Sequence, residues 1–145
     1  MPIYATFEDM LSEIPEYRLA EYVDENIAED GLSEPALELV DNALLSASEL
    51  ITSYIQLRYP QPNSSEMLKK ICTAIALSYL VERKHTGEPE MSGWARAFRA
   101  EQLKLLEAIR DGTLSLGMKA NDQASGFKMR VAERKSMLGN VLNEG

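Results

Sequence analysis

His85 and Cys72 are the only histidine and the only cysteine in 145 residues, so an imidazole or thiol catalyst would have to be one of these two. His85 follows Arg83 and Lys84. Neighbouring cations keep an imidazole neutral, as a general base requires, but no acid is placed by the sequence to orient it. It therefore reads as a helix-cap or surface histidine. Cys72 falls among Ile71 and Ile75 on an apolar helical face, the setting of an inert core thiol. A lone cysteine excludes an internal disulfide and a multi-cysteine metal site. No P-loop, dinucleotide-binding glycine pattern or zinc-binding histidine pair occurs. We expect a protein that is not an enzyme, with no catalytic residues, no cofactor and no metal.

Charged groups are the other source of chemistry. Glu21, Asp24, Glu25, Glu29 and Asp30 crowd a segment that closes at Gly31. A calcium loop needs alternating oxygen ligands and a distal glutamate, and Asp24–Gly31 has neither, so a solvated acidic loop is the better reading. Lys128, Arg130, Arg134 and Lys135 form the densest cationic cluster, with Phe127 as its one aromatic neighbour. That is a weak signal for nucleic acid. The net charge is −8, yet residues 1–50 hold thirteen acids against Arg18 alone, a net of −12, whereas residues 51–145 carry a net of +4. One reading is a soluble acidic protein. The other is a subunit whose acidic half meets the basic half of an identical neighbour, a head-to-tail contact that closes into rings.

These groups must be positioned by helices. Thr6 and Asp9 make a capping box for a short helix through Phe7, Met10 and Leu11, ended by Pro15. A second short helix runs from Tyr17 to Val23 or Asn26. Ser33 caps a third, whose apolar stripe holds Val40, Ala43, Leu44, Ala47, Leu50, Ile51, Tyr54 and Ile55, with Glu38, Asp41, Ser48 and Ser53 on the wet side. Pro60 and Pro62 stop it after Tyr59, and this long rod sets the layout of the fold. Asn63 or Ser64 caps a fourth helix to about His85, striped by Leu68, Ile71, Ala74, Ile75 and Ser78, and expected to be the most buried. Ser92 caps a fifth, closing at Gly112, in which Arg96, Arg99, Lys104 and Arg110 face outward. Trp94 and Phe98, one turn apart, fill the mouth of the core; an aromatic binding platform is the alternative.

The fold class is therefore all-α: two short N-terminal helices and three longer ones in a small bundle over residues 1–117. Residues 118–145 differ in kind. Phe127, Met129 and Val131 alternate as an edge strand would, whereas Lys135 to Leu142, with Met137 and Leu138, suits a short amphipathic helix. Neither is stable alone. Disorder is the default for such a tail, and we favour an extended arm that docks on a partner over one folded back on its own domain. The residues offered for that contact are Phe127, Lys128, Met129, Arg130, Val131, Arg134, Lys135, Met137 and Leu138. No run of eighteen apolar residues occurs, and the N-terminus does not read as a signal peptide, so no membrane association is expected.

The wording of the third helix carries a resemblance. An acidic loop ending in glycine leads into A-L-L-S-A-S-E-L-I-x-S-Y-I and then x-R-Y-P-x-P. This is similar to the small head–tail connector (neck) proteins of tailed phages, in particular the family of Mu-like prophages, in which A-S-x-E-I-x-x-Y-L runs into G-R-Y-P-x-P. Asp30, Gly31, Ala47, Ser48, Glu49, Leu50, Ile51, Ser53, Tyr54, Ile55, Arg58, Tyr59, Pro60 and Pro62 match, while Leu57 stands where that family usually has glycine. Leu68, Lys69, Ile75, Ala76, Leu80 and Arg83 fit its next helix, and Ile109, Gly112, Ser115, Leu116 and Gly117 its closing motif. The resemblance spans about residues 1–117. It implies a connector, made in the host cytoplasm and located in the virion neck, that forms a homo-oligomeric ring (a dodecamer) below the portal protein. It also implies a downstream neck or tail-completion protein as partner and incidental contact with packaged DNA. Arg58, Tyr59 and Pro60 form the structural motif, fixing a turn within the domain or serving the ring interface. Two rival readings are a small helical DNA-binding module, such as a terminase small subunit, and an enzyme that would use His85 or Cys72.

Overall fold

The computed structural model describes residues 4–23, 31–60 and 65–117. Its elements are all helical: α1 (Phe7–Glu13), α2 (Glu16–Val23), α3 (Glu34–Ile55), α4 (Glu66–Lys84) and α5 (Pro89–Asp111). Among the described residues no helix is long and apolar enough to cross a membrane.

Local sequence accounts for most of the boundaries. The Thr6 capping box is complete: the Asp9 N–H donates to the Thr6 hydroxyl, and the Thr6 N–H donates to the Asp9 carboxylate. Ser33 accepts from the Ala36 N–H at the start of α3, with Pro35 in the first turn, where its missing donor costs nothing. Two caps differ from expectation. α4 is capped by Ser65, whose hydroxyl accepts from the Leu68 N–H, and not by Asn63 or Ser64. α5 begins at Pro89, so Ser92 lies inside its first turn and donates instead to the His85 carbonyl at 2.8 Å, tying the end of α4 to the start of α5.

α3 ends a turn earlier than Tyr59. Residues 56–58 form a turn in which the Arg58 N–H donates to the Ile55 carbonyl, a tightened last turn. Tyr59, the residue restricted by Pro60, then swings its ring into the core, where it is 1 % exposed.

α4, rather than the α3 rod, is the hub. It packs against all four other helices, most extensively α5 and α3. It buries nine of its 19 residues, against eight of 22 for α3, which agrees with its expected depth. Several of those nine are small (Cys72, Thr73, Ala76 and Ser78), which lets neighbouring backbones approach on more than one side. The core otherwise consists of Leu19, Val40, Ile51, Ile55, Leu68, Ile71, Ile75, Leu106 and Ile109.

Ser48 departs from the expected pattern. It is fully buried on α3 and not on the wet side: its hydroxyl accepts from the Tyr4 N–H at 3.2 Å and lies 3.5 Å from the Cys72 sulfur. The Tyr4 hydroxyl pairs with Thr52 at 3.0 Å. The segment before α1 is thereby pinned across the middle of α3, and the buried Ser48 hydroxyl is satisfied.

Candidate partner-binding surfaces

The reactive side chains do not converge. Cys72 and His85 are 13 residues apart on one helix and its cap, roughly 20 Å along the axis. Cys72 is buried, and burial pushes its thiol up in spite of its contact with Ser48. His85 caps α4 and, contrary to the sequence reading, has an acid beside it: Nδ1 lies 3.0 Å from the Glu88 carboxylate. Sequence offered no sign of this pair, because Glu88 caps α5 through its backbone alone and its side chain is left to turn back.

Arg58, Tyr59 and Pro60 lie where the end of α3 meets the end of α5. Gly112 closes α5 at φ +85°, and the Leu114 N–H reaches back to the Ala108 carbonyl, a left-handed helix stop that needs glycine. The chain continues across Tyr59, whose hydroxyl oxygen accepts from the Leu116 N–H at 3.2 Å. Burial raises the Tyr59 phenol, but that bond, Ser115 and the Arg58 charge outweigh it and hold the group below its usual value. The Arg58 guanidinium carbon lies 5.7 Å from the Tyr59 ring centroid, and its Nη1 would be 2.7 Å from a Cβ placed on Gly112. Pro60 is exposed. The root of the C-terminal segment is thus held beyond the end of α3 by the Tyr59 hydroxyl and by the packing of Leu114 and Leu116 on the core.

A second cluster joins α4 to α5. Arg99 does not face outward. It pairs with Glu82 at 2.9 Å, donates to the Ser78 hydroxyl at 3.2 Å and lies 4.8 Å over the Tyr79 ring. Arg96 meets the same carboxylate at 3.2 Å. Burial raises the Glu82 carboxyl, but the two guanidinium groups outweigh it and hold the carboxyl below 4.5. A carboxylate depressed on folding adds stability above its unfolded value and loses it as pH falls through the folded value. Stability should therefore drop on acidification below about pH 4.5. In urea unfolding at stepped pH, Glu82→Gln should flatten that drop; an unchanged slope would place the acid sensitivity elsewhere.

Two features are exposed and apolar. Trp94 and Phe98 stack face to face with centroids 5.2 Å apart, but Trp94 is 49 % exposed, so the pair lies on the surface of α5 and not in the mouth of the core. Leu105, on the same side of the helix, is 40 % exposed. An open groove of about 430 Å³ runs between α3 and α4, walled by Leu39, Asn42 and Ala43 on one side and Tyr79, Leu80 and Arg83 on the other. A second concavity, sharing Leu39 and Asn42, extends it to Glu34 and Glu38. Glu34, Glu38 and Asp41 are exposed at i, i+4 and i+7, and none has an ion pair among the described residues. Sequence periodicity could not reveal the groove, because the angle between two helices is not written in either one.

The expected arm residues Phe127, Lys128, Met129, Arg130, Val131, Arg134, Lys135, Met137 and Leu138 lie outside the described residues, as do Asp24–Asp30 of the acidic loop. The family model described as Bacteriophage Mu, Gp36 matches residues 4–132, a span that includes Phe127 to Val131. No curated protein matches the chain.

Proposed function

The chain belongs to the bacteriophage Mu Gp36 family, and on that premise we propose that it is a structural head–tail connector of the virion neck, with no catalytic role. In this reading copies assemble into a ring beneath the portal protein, and the ring receives the next neck or tail-completion protein. The five-helix domain is the rigid wedge of that ring. Its C-terminal arm lies on the portal or on an adjacent copy, and contact with packaged DNA is incidental to the role.

The observation that carries the proposal is the acidic band of Glu34, Glu38 and Asp41. Exposed charges without ion pairs among the described residues suit an oppositely charged neighbour, and a head-to-tail contact between unlike surfaces is the kind that closes into a ring. Arg83, Lys84 and Lys104, on α4 and α5, are likewise exposed and without ion pairs among the described residues. The overall charge of −8 repels phosphate, which weighs against DNA as the main partner.

Electron microscopy of the full-length protein mixed with its portal protein tests the reading. Closed rings seated coaxially on the portal are the expected result. Protein that stays monomeric and does not co-sediment with portal would refute it. Retention on DNA with a steep salt dependence would point to the packaging module instead.

A further inference from the structure

We propose that residues 127–135 of one copy occupy the groove between α3 and α4 of a neighbouring copy, their apolar side chains against Leu39, Ala43 and Leu80 and their cations along Glu34 and Glu38. The inference rests on the connector reading for the neighbour, and on three observations for the site. The first is shape: the groove is open and runs on into the concavity beside Glu34 and Glu38. The second is charge. The segment F-K-M-R-V-A-E-R-K holds four cations and one acid, Glu133, while Glu34 and Glu38 line the concavity that adjoins the groove and Arg83 is the one cation among the groove's lining residues. The segment thus carries the opposite sign to the two glutamates, and its one acid is the counter-charge for Arg83.

The third is reach. Gly117 follows Leu116, which is fastened to Tyr59 beyond the C-terminal end of α3. Nine residues separate it from Phe127, spanning at most about 30 Å when extended. The groove lies around Leu39–Ala43, roughly 20 Å back along α3 from Ile55. The linker is therefore long enough to reach a groove at this height, and the connector reading assigns it to a copy packed alongside rather than to the chain's own groove. An extended segment with apolar residues at every second position presents them to one side, as a groove lined by Leu39, Ala43 and Leu80 requires, and its long cationic side chains extend to Glu34 and Glu38.

Disulfide trapping in the full-length protein tests this. Asn42→Cys combined with Met129→Cys should give, under mild oxidation, a ladder of covalent dimers and higher species. Each single variant should go no further than a dimer, because Cys72 is buried and one exposed thiol can form only one disulfide. Glu34→Lys with Glu38→Lys should cut the trapping yield at least several-fold, and adding Lys128→Glu with Arg130→Glu should restore it. A double-cysteine variant that traps no faster than the single variants would overturn the groove assignment. A product that runs only as an internally linked monomer would overturn the exchange between copies. Electron microscopy of the same samples keeps the two readings apart: a ladder without rings supports the groove contact and removes the ring, while rings without a ladder remove the groove contact alone.

Discussion

Tyr59→Ala is expected to lower the free energy of unfolding by about 3–5 kcal/mol, the range for truncating a large buried aromatic ring. Tyr59 is 1 % exposed and packs in the main core with Ile55 and Ile109. Its hydroxyl also accepts the Leu116 N–H, which would otherwise need a new partner. The substitution removes both the ring and the anchor, so the junction between α3 and the end of α5 should loosen along with the core. Tyr59→Phe separates the two contributions. It keeps the ring and removes the anchor, and should cost about 0.5–1.5 kcal/mol. Urea denaturation followed by circular dichroism measures both. A Tyr59→Ala protein within 1 kcal/mol of the parent would mean that Tyr59 is a surface residue in solution.

The parts of this fold that can be read from sequence are those set by neighbours along the chain. The Thr6 capping box, the Ser33 cap and the Gly112 stop each use groups within a few residues, and all three are present. The apolar stripes of α3 and α4 were legible for the same reason, since periodicity states which side of a helix faces inward. Misreadings arose where a distant group decides. Ser48 looks solvent-facing by its chemistry and is buried because Tyr4, 44 residues away, donates to it. Arg99 looks like a surface cation, but Glu82, Ser78 and Tyr79 together repay its desolvation. Trp94 and Phe98 fail in the opposite direction. Two aromatic rings one turn apart suggest core, yet they satisfy each other by stacking on the surface. The length of α3 shows in the sequence and makes it look like the organising rod. That α4 touches every other helix follows from its small buried residues, whose effect appears only once the neighbours are in place.

Gly112→Ala should be the second most damaging change, at about 2–5 kcal/mol, although it adds only a methyl group at a half-buried position. Two costs combine. Gly112 sits at φ +85°, in the left-handed region, where an L-residue with a Cβ loses about 1–2 kcal/mol. The new Cβ would also meet the Arg58 guanidinium at 2.7 Å from Nη1, and crowding of this kind typically costs about 1–3 kcal/mol. Only the second cost depends on Arg58, whose guanidinium lies beside Tyr59 while its buried Nε has no hydrogen-bond partner among the described residues. If Arg58 swings aside at little cost, the loss falls to the backbone cost alone. If the side chain is trapped between Tyr59 and the α5 stop, the full loss appears, and Arg58→Ala should relieve part of it. The double-mutant cycle therefore measures how tightly the R-Y-P turn is clamped on the end of α5. A coupling between the two sites of at least about 0.5 kcal/mol is expected for groups in direct contact. Additive effects, or a Gly112→Ala protein as stable as the parent, would show that the two helix ends are independent.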